Sequence, residues 1–385
     1  MIPYATPAEA EAALGRAMTW AEAAWYQYSA AMPDSWLHCH TTFILFVIYT
    51  ITPLPLVVLE QFAPSVVLPY KLQPRVRLPL AASLRCYMEA ACFFPLAVGF
   101  QLVSYPAAVK QILRTRMGLP LPSVRETIAQ LVVYSLMEDY LSYWIHRLLH
   151  TQWGYEKIHR VHHEFTAPTG FAMSYSHWAE NLFLSIPALA GPVIVPCHIT
   201  TQWLWFSIRL IEGINTHSGY HFPFSPSKLI PFYGGAEYHD YHHYAGGRSQ
   251  SNFAPLFTYC DYIYRTDKKS RPSDVLSWFI FVFFFQNVSH YLLSFRVVLS
   301  KEQLGTLPFQ CCFCSKELLI ITNFYVQQIY VTLSRRSYYN IFLEVAQNKY
   351  LGYRYHKLKQ AKLKSVEENN VEKKGGSTVF NTRKD

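Results

Sequence analysis

Twelve of the 16 histidines fall between His146 and His243, and their spacing is regular. His146-Arg-Leu-Leu-His150 places two imidazoles at i and i+4, on one face of a helix. His159-Arg-Val-His162-His163 and His239-Asp-Tyr-His242-His243 each place three at i, i+3 and i+4. His217-Ser-Gly-Tyr-His221 adds a further i, i+4 pair. Side chains of adjacent helical residues point about 100° apart. His162 and His163, like His242 and His243, can therefore each hand one ligand to each of two ions.

Neutral imidazole suits iron, zinc, copper and nickel, whereas magnesium and calcium want oxygen. The ten histidines of these motifs suffice for two ions with about five ligands each. A structural zinc needs only four. Two ions of a redox metal with an exchangeable position make an oxygen-activating centre, with iron the first choice. His177, in Ser174-Tyr-Ser-His177-Trp-Ala-Glu180, either ligates or orients a ligand from behind. Asp240, Glu164 and Glu237 lie beside the motifs and are placed to accept N–H bonds from ligand imidazoles, or else are solvated acids. No catalytic side chain beyond the metal centre is expected, because no residue stands out as a general base. Isolated histidines such as His38, His40 and His198 read as hydrogen-bonded core or interface residues.

The elements that must carry these motifs are apolar. The chain has 385 residues, 51% hydrophobic, 16% aromatic and 15% charged, where soluble domains run nearer 25% charged. Thr41 to Leu59 and Ala90 to Val109 carry no charge, and neither does the longer run from Asn181 to Ile208. A bilayer core takes about 20 apolar residues per helix, so the first two runs read as spans. The third, broken by Pro187, Pro192 and Pro196, reads as one tilted span or two half-spans meeting near Pro192–Pro196. Thr127 to Ile145 carries Glu138 and Asp139 on a helical pattern, which gives a helix with one wet or protein-facing side. Together these features predict an all-α fold, a multi-span membrane helical bundle with a histidine-rich di-metal cap.

The formal net charge is +9, and residues 352–385 hold nine basic against four acidic side chains. A basic tail after apolar segments fits a cytosolic membrane face, and nothing resembles a module that reads nucleic acid. Residues Met1 to Ala31 read as an amphipathic, Ala-rich region without the basic start of a secretory signal. The eight cysteines sit at irregular spacings and read as reduced thiols. A His-rich metal transporter is the competing class, but it would place ligands near mid-membrane. Here the histidines lie beside Arg147, Lys157, Arg160 and Asp240, which favours an interfacial site.

At these motifs the sequence resembles the membrane-bound fatty acid hydroxylase superfamily, marked by HxxxH, HxxHH and HxxHH. Within it the wording is similar to the plant sterol 4α-methyl oxidases. The resemblance is carried by Gly213-Ile-Asn-Thr-His217-Ser-Gly-Tyr-His221, by Pro231 through His243, and by Ser249-Gln-Ser-Asn-Phe253 through Lys268. It implies two iron ions held by His146, His150, His159, His162, His163, His239, His242 and His243, with His217 and His221 as the extra pair. It implies a cap facing the cytosol at the endoplasmic reticulum membrane, O2 as oxidant, and electrons from NAD(P)H through cytochrome b5 and its reductase. The implied reaction takes a sterol C4 methyl through alcohol and aldehyde to carboxylate. A separate decarboxylase/dehydrogenase then removes the carboxylate. The wording is nearer the class acting on 4α-monomethyl sterols than the 4,4-dimethyl class. A fatty-acid or lipid hydroxylase or a desaturase of the same superfamily is the alternative, as is an inactive splice isoform.

The chain therefore divides into an N-terminal amphipathic region (1–40), membrane spans (41–125), the hydroxylase-type di-iron region (126–268), an atypical insertion (269–351) and the basic tail (352–385). In the family the pair Asp267-Lys268 runs straight into a Gly-Tyr-Arg-Tyr segment, which here stands at Gly352-Tyr353-Arg354-Tyr355. The intervening text carries the odd cluster Cys311-Cys312-Phe-Cys314 and no domain pattern. It reads as translated non-coding sequence from a retained intron or a faulty gene model, with a lineage-specific insertion as the alternative.

Overall fold

A computed structural model describes residues 4–105, 111–226, 230, 232–245 and 250–268. All belong to one of the two compact units into which the chain divides. The insertion, its cysteine cluster and the basic tail lie outside the described residues. The helices are α1 (Pro7–Leu14), α2 (Trp20–Ser29), α3 (Asp34–Ile51), α4 (Leu54–Phe62), α5 (Pro64–Val67), α6 (Leu80–Ala91), α7 (Phe93–Tyr105), α8 (Val124–Leu149), α9 (Gln152–Lys157), α10 (Trp178–Ile194), α11 (Ile199–Thr216), α12 (Gly235–Ala245) and α13 (Tyr259–Tyr264). Among the described residues no strand forms, and isolated bridges such as Lys71 to Tyr220 are the only extended pairings.

The helix α8 runs 26 residues. Ser123 caps its start by accepting a hydrogen bond from the Glu126 N–H at 3.1 Å, which satisfies one of the free donors of a first turn. The two acids expected on its polar side are buried and face protein. Arg209 of α11 donates to Glu138 at 2.8 Å and to Glu212 at 2.5 Å. Asp139 accepts from the backbone N–H groups of Leu256 and Phe257 at 3.0 and 2.8 Å. A buried charge is tolerated only when paired and hydrogen-bonded, and both pairings fasten α8 to segments that carry or back the histidines.

The charge-free run from Asn181 to Ile208 resolves into two helices, α10 and α11, with residues 195–198 between them. The break falls near Pro196, where the sequence placed it, between helices of 17 and 18 residues. Inside α10, Pro192 cannot donate to the carbonyl of Ala188, and the Trp205 indole N–H takes that carbonyl at 2.9 Å. Gly191 lets α10 approach α8 closely, for a Cβ there would lie 2.9 Å from the Tyr134 Cα. His198 caps α11, accepting from the Thr200 N–H at 3.2 Å, and donates through Nε2 to the Gly118 carbonyl at 3.0 Å. It is the hydrogen-bonded core histidine expected.

Among the described residues, Asp34–Phe62 is long and apolar enough to cross a membrane, at 29 residues, and only 17% of its most apolar stretch is buried. The run from Ala90 gives no single long helix there, since α6 ends at Ala91 and α7 begins at Phe93. α10 is a shorter apolar helix.

Candidate metal centre

Nine histidines converge in two groups, each with its ligand nitrogens within 4.8 Å of one another. The first is His146, His150, His159, His163 and His242; the second is His162, His217, His239 and His243. They come from the end of α8, a 3-10 turn over His159–Glu164, the end of α11 and the helix α12. The two groups adjoin, with the rings of His163 and His243 stacked 4.6 Å apart.

Each HxxHH motif is split between the groups rather than pointing to one side. His159 and His163 stay together while His162 crosses to the second group. In the other motif His239 and His243 stay together while His242 crosses to the first. Each adjacent pair thus sends one imidazole to each group.

Five of the nine rings donate to a backbone carbonyl. The Nδ1–H of His146 donates to the Phe253 carbonyl at 2.7 Å and that of His162 to Tyr175 at 3.1 Å. His217 donates to Gly213 at 2.8 Å, His242 to Ser251 at 2.8 Å and His243 to Phe165 at 3.0 Å. A carbonyl only accepts, so Nδ1 carries the proton in all five and Nε2 presents a lone pair. The Nε2 atoms then face each other: His162 and His217 at 3.1 Å, His217 and His239 at 2.9 Å, His239 and His243 at 3.1 Å. In the first group His146 meets His159 at 3.2 Å, His159 meets His163 at 3.1 Å, and His150 meets His242 at 3.0 Å.

Protonation does not relieve these contacts near neutral pH. Burial pulls His146 and His162 down to about 4 and His217 to about 3. It drives His159, His239, His242 and His243 well below the ordinary value, and the neighbouring imidazoles add to the effect. His162 and His217 both commit their Nδ1 protons to carbonyls, so their Nε2 lone pairs face each other at 3.1 Å, an arrangement that a cation between them relieves. With a metal–nitrogen bond of about 2.1 Å, ligands at right angles lie about 3.0 Å apart and tetrahedral ligands about 3.4 Å. The observed spacing fits ions with more than four positions, and so does a set of five nitrogens. The residues fit a pair of metal ions.

The groups behind these rings are themselves held. The carbonyls of Ser251 and Phe253 turn to different histidines because Asn252 between them adopts φ 61°, a left-handed conformation that asparagine accepts more readily than most residues. Asp261 accepts from the N–H groups of Phe253 and Ala254 at 2.9 and 2.7 Å. Gln73 ties the two HxxHH segments together, donating to the Thr166 carbonyl at 2.8 Å and to Asp240 at 3.0 Å.

His221 lies outside both groups. Its i+4 spacing from His217 places both on one side only if the helix continues. However, α11 ends at Thr216, Gly219 turns the chain with φ 75°, and the His221 N–H bonds the Tyr70 carbonyl at 2.8 Å. His177 is not among the grouped histidines either; it caps α10 by accepting from the Ala179 N–H at 3.3 Å. Glu164 accepts from the Tyr175 hydroxyl at 2.9 Å. The carboxylate against a grouped histidine is Glu180, whose Oε1 lies 2.9 Å from His159 Nδ1, both side chains being buried. Burial drives Glu180 up and His159 down. Sequence reasoning passed over Glu180, though an acid opening a charge-free run is the signal that points to it.

A family model described as fatty acid hydroxylase matches residues 131–266, which contain every histidine of both groups. The chain is 61% identical over 272 residues to a very-long-chain aldehyde decarbonylase of Oryza sativa subsp. japonica, covering 70% of this chain and 90% of that one. It is 56% identical over 274 residues to methylsterol monooxygenase 1-1 of Arabidopsis thaliana, covering 70% and 91%. To methylsterol monooxygenase 2-2 of the same plant it is 37% identical over 252 residues, covering 65% and 93%. No solved structure matches the chain significantly.

Proposed function

The chain belongs to the fatty acid hydroxylase family, among relatives named methylsterol monooxygenases, and from that premise we propose that it is a di-iron monooxygenase oxidising the C4 methyl group of sterol precursors. The observation that carries this reading is the convergence of nine Nε2 atoms in two groups, five of them on rings whose Nδ1 protons are committed to backbone carbonyls. His146, His150, His159, His163 and His242 would hold one ion, and His162, His217, His239 and His243 the other. The ions would supply the activation of O2 that attack on an unactivated methyl group requires.

The chain's own part is to prepare the site. The carbonyls of Phe253, Tyr175, Gly213, Ser251 and Phe165 fix the tautomer and aim each ring, so binding displaces no proton from these nitrogens. Eight of the nine rings are buried and His239 is partly so, which keeps bulk water from the reacting centre. The reaction runs through alcohol and aldehyde to carboxylate, each step taking O2 and two electrons. Electrons would come from NAD(P)H through a reductase and cytochrome b5, and a decarboxylase would consume the product. The exposed apolar surface of Asp34–Phe62 supports a membrane setting. We place the protein in the endoplasmic reticulum membrane, spanning it more than once with the histidine cap toward the cytosol. A lipid-soluble sterol then enters sideways from the bilayer.

The test is sterol profiling in a host lacking its own C4-methyl oxidase, supplied with both 4,4-dimethyl and 4α-monomethyl precursors. Loss of accumulated 4-methyl sterols is expected, and the species consumed tells whether the monomethyl expectation holds. The name of the 61% identical rice relative supports a second reading, aldehyde decarbonylation. Unchanged sterols with conversion of a very-long-chain aldehyde to the hydrocarbon one carbon shorter would replace the first reading with the second.

A further inference from the structure

The two nitrogen groups differ in what stands behind them. In the second group, His162, His217 and His243 lean on neutral backbone carbonyls. In the first, His146 and His242 do the same, but His159 faces a carboxylate, Glu180 Oε1 at 2.9 Å from Nδ1. His159 is also the hub of that group, since its Nε2 lies 3.2 Å from that of His146 and 3.1 Å from that of His163. Glu180 is 2% exposed, and its second oxygen is buried with no hydrogen-bond partner among the described residues. A buried carboxylate is costly unless a nearby cation balances it. Nine neutral imidazoles leave the charge of two divalent ions uncompensated.

We propose that Glu180 is a positioning residue for one ion only, the five-histidine ion, and that it makes the two ions electronically unequal. Standing 2.9 Å from Nδ1 on the far side of the His159 ring, its negative charge polarises the ring and raises the basicity of the ligating nitrogen, as carboxylate–histidine pairs do at metal sites. The added negative charge favours the more highly charged state of that ion. The five-histidine iron is therefore the harder of the two to reduce, and the four-histidine iron receives an electron first. Its place at the start of α10, one turn after the cap His177, is what brings it there: the Glu180 N–H bonds the His177 carbonyl at 2.9 Å.

The inference rests on the di-iron reading, and the experiment separates the two. Iron content, Mössbauer spectra and midpoint potentials are measured on the purified full-length chain and on E180Q, E180D and H177A. If the wild-type chain binds no iron, the di-iron reading itself falls. Given iron in the wild type, E180Q is expected to shift one of the two quadrupole doublets and raise the potential of that iron alone. E180D, which keeps the charge, and H177A, which disturbs only the cap, should match the wild type. Spectra of E180Q identical to wild type overturn the proposal, as does an equal shift of both doublets or the same shift in H177A. Should iron-loaded E180Q fail to accumulate, the metal-free forms decide. Metal-free E180Q melting no lower than metal-free wild type supports a role tied to the ion, and a lower melting point overturns it in favour of a purely structural one.

Discussion

His162 and His163 are neighbours in the chain and belong to different nitrogen groups: His162 Nε2 meets His217 at 3.1 Å, and His163 Nε2 meets His159 at 3.1 Å. His242 and His243 repeat the division with the groups exchanged. The two HxxHH motifs thus interlock, each giving two rings to one nitrogen group and one to the other.

Alanine at either of the neighbours should therefore remove a different iron. H162A is expected to weaken the four-histidine ion and H163A the five-histidine ion, each by more than about a hundred-fold in affinity, since even partners behind a ligand are worth 10–100-fold. Iron per chain falls toward one in both variants, and the surviving Mössbauer doublets differ. Identical residual spectra would contradict the division.

His217 and His221 should behave unlike each other despite their shared motif. H217A is expected to lose iron and monooxygenase activity, because its Nε2 faces both His162 and His239. H221A should keep both ions, with activity within about two-fold of wild type, since its ring stands apart from both groups. Metal analysis of the two purified variants checks this directly.

The metal-free protein should lose stability on acidification before it loses anything to alkali. His146 and His162 titrate near 4 and His217 near 3 in the folded chain, against 6.5 for the free side chain. Between these limits the unfolded chain binds more protons, so stability is full above about pH 6.5 and falls as pH drops toward 4. Melting of iron-free protein should hold steady from about pH 7.5 to 6.5 and decline below. A melting temperature flat down to about pH 4.5 would refute it.

Gly191→Ala tests the α8–α10 contact. The new Cβ would lie 2.5 Å from Tyr134 Cδ1 and 2.9 Å from its Cα, and overpacking of this kind costs about 1–3 kcal/mol. The melting temperature should fall by roughly 3–10 °C. Gly99→Ala meets nothing within 4 Å and should be neutral or slightly stabilising, which makes it the control.

Joining Lys268 directly to Gly352 should leave iron content and sterol oxidation at least at the level of the full chain. Every grouped histidine and every carbonyl behind one lies between His146 and Phe253, so the deletion removes none of them. Parallel sterol profiles of the two forms decide it. A joined form that binds iron but leaves 4-methyl sterols in place would show that residues 269–351 contribute to function.

The parts of the site visible in the sequence were those set by side-chain type at regular spacing. The helix around Glu138 and Asp139 and the break near Pro196 follow from periodicity and from the geometry of proline. Nine of ten proposed ligands converge for the same reason. His221 parts from them because helical spacing means nothing past the end of α11. The carbonyls of Ser251 and Phe253 leave no trace in residue identity, being main-chain atoms aimed by the turn at Asn252. Glu180 was hidden by distance along the chain, since it meets His159 only once α10 packs on α8.

Five of the nine grouped rings lean on main-chain oxygens, at Phe165, Tyr175, Gly213, Ser251 and Phe253. No codon change at those positions can delete a carbonyl. Their side chains can therefore drift under selection for packing alone while the chemistry they support is inherited intact, and the heritable fragility of the centre is concentrated in the histidines and in the few side chains, such as Asn252 and Asp261, that aim the backbone.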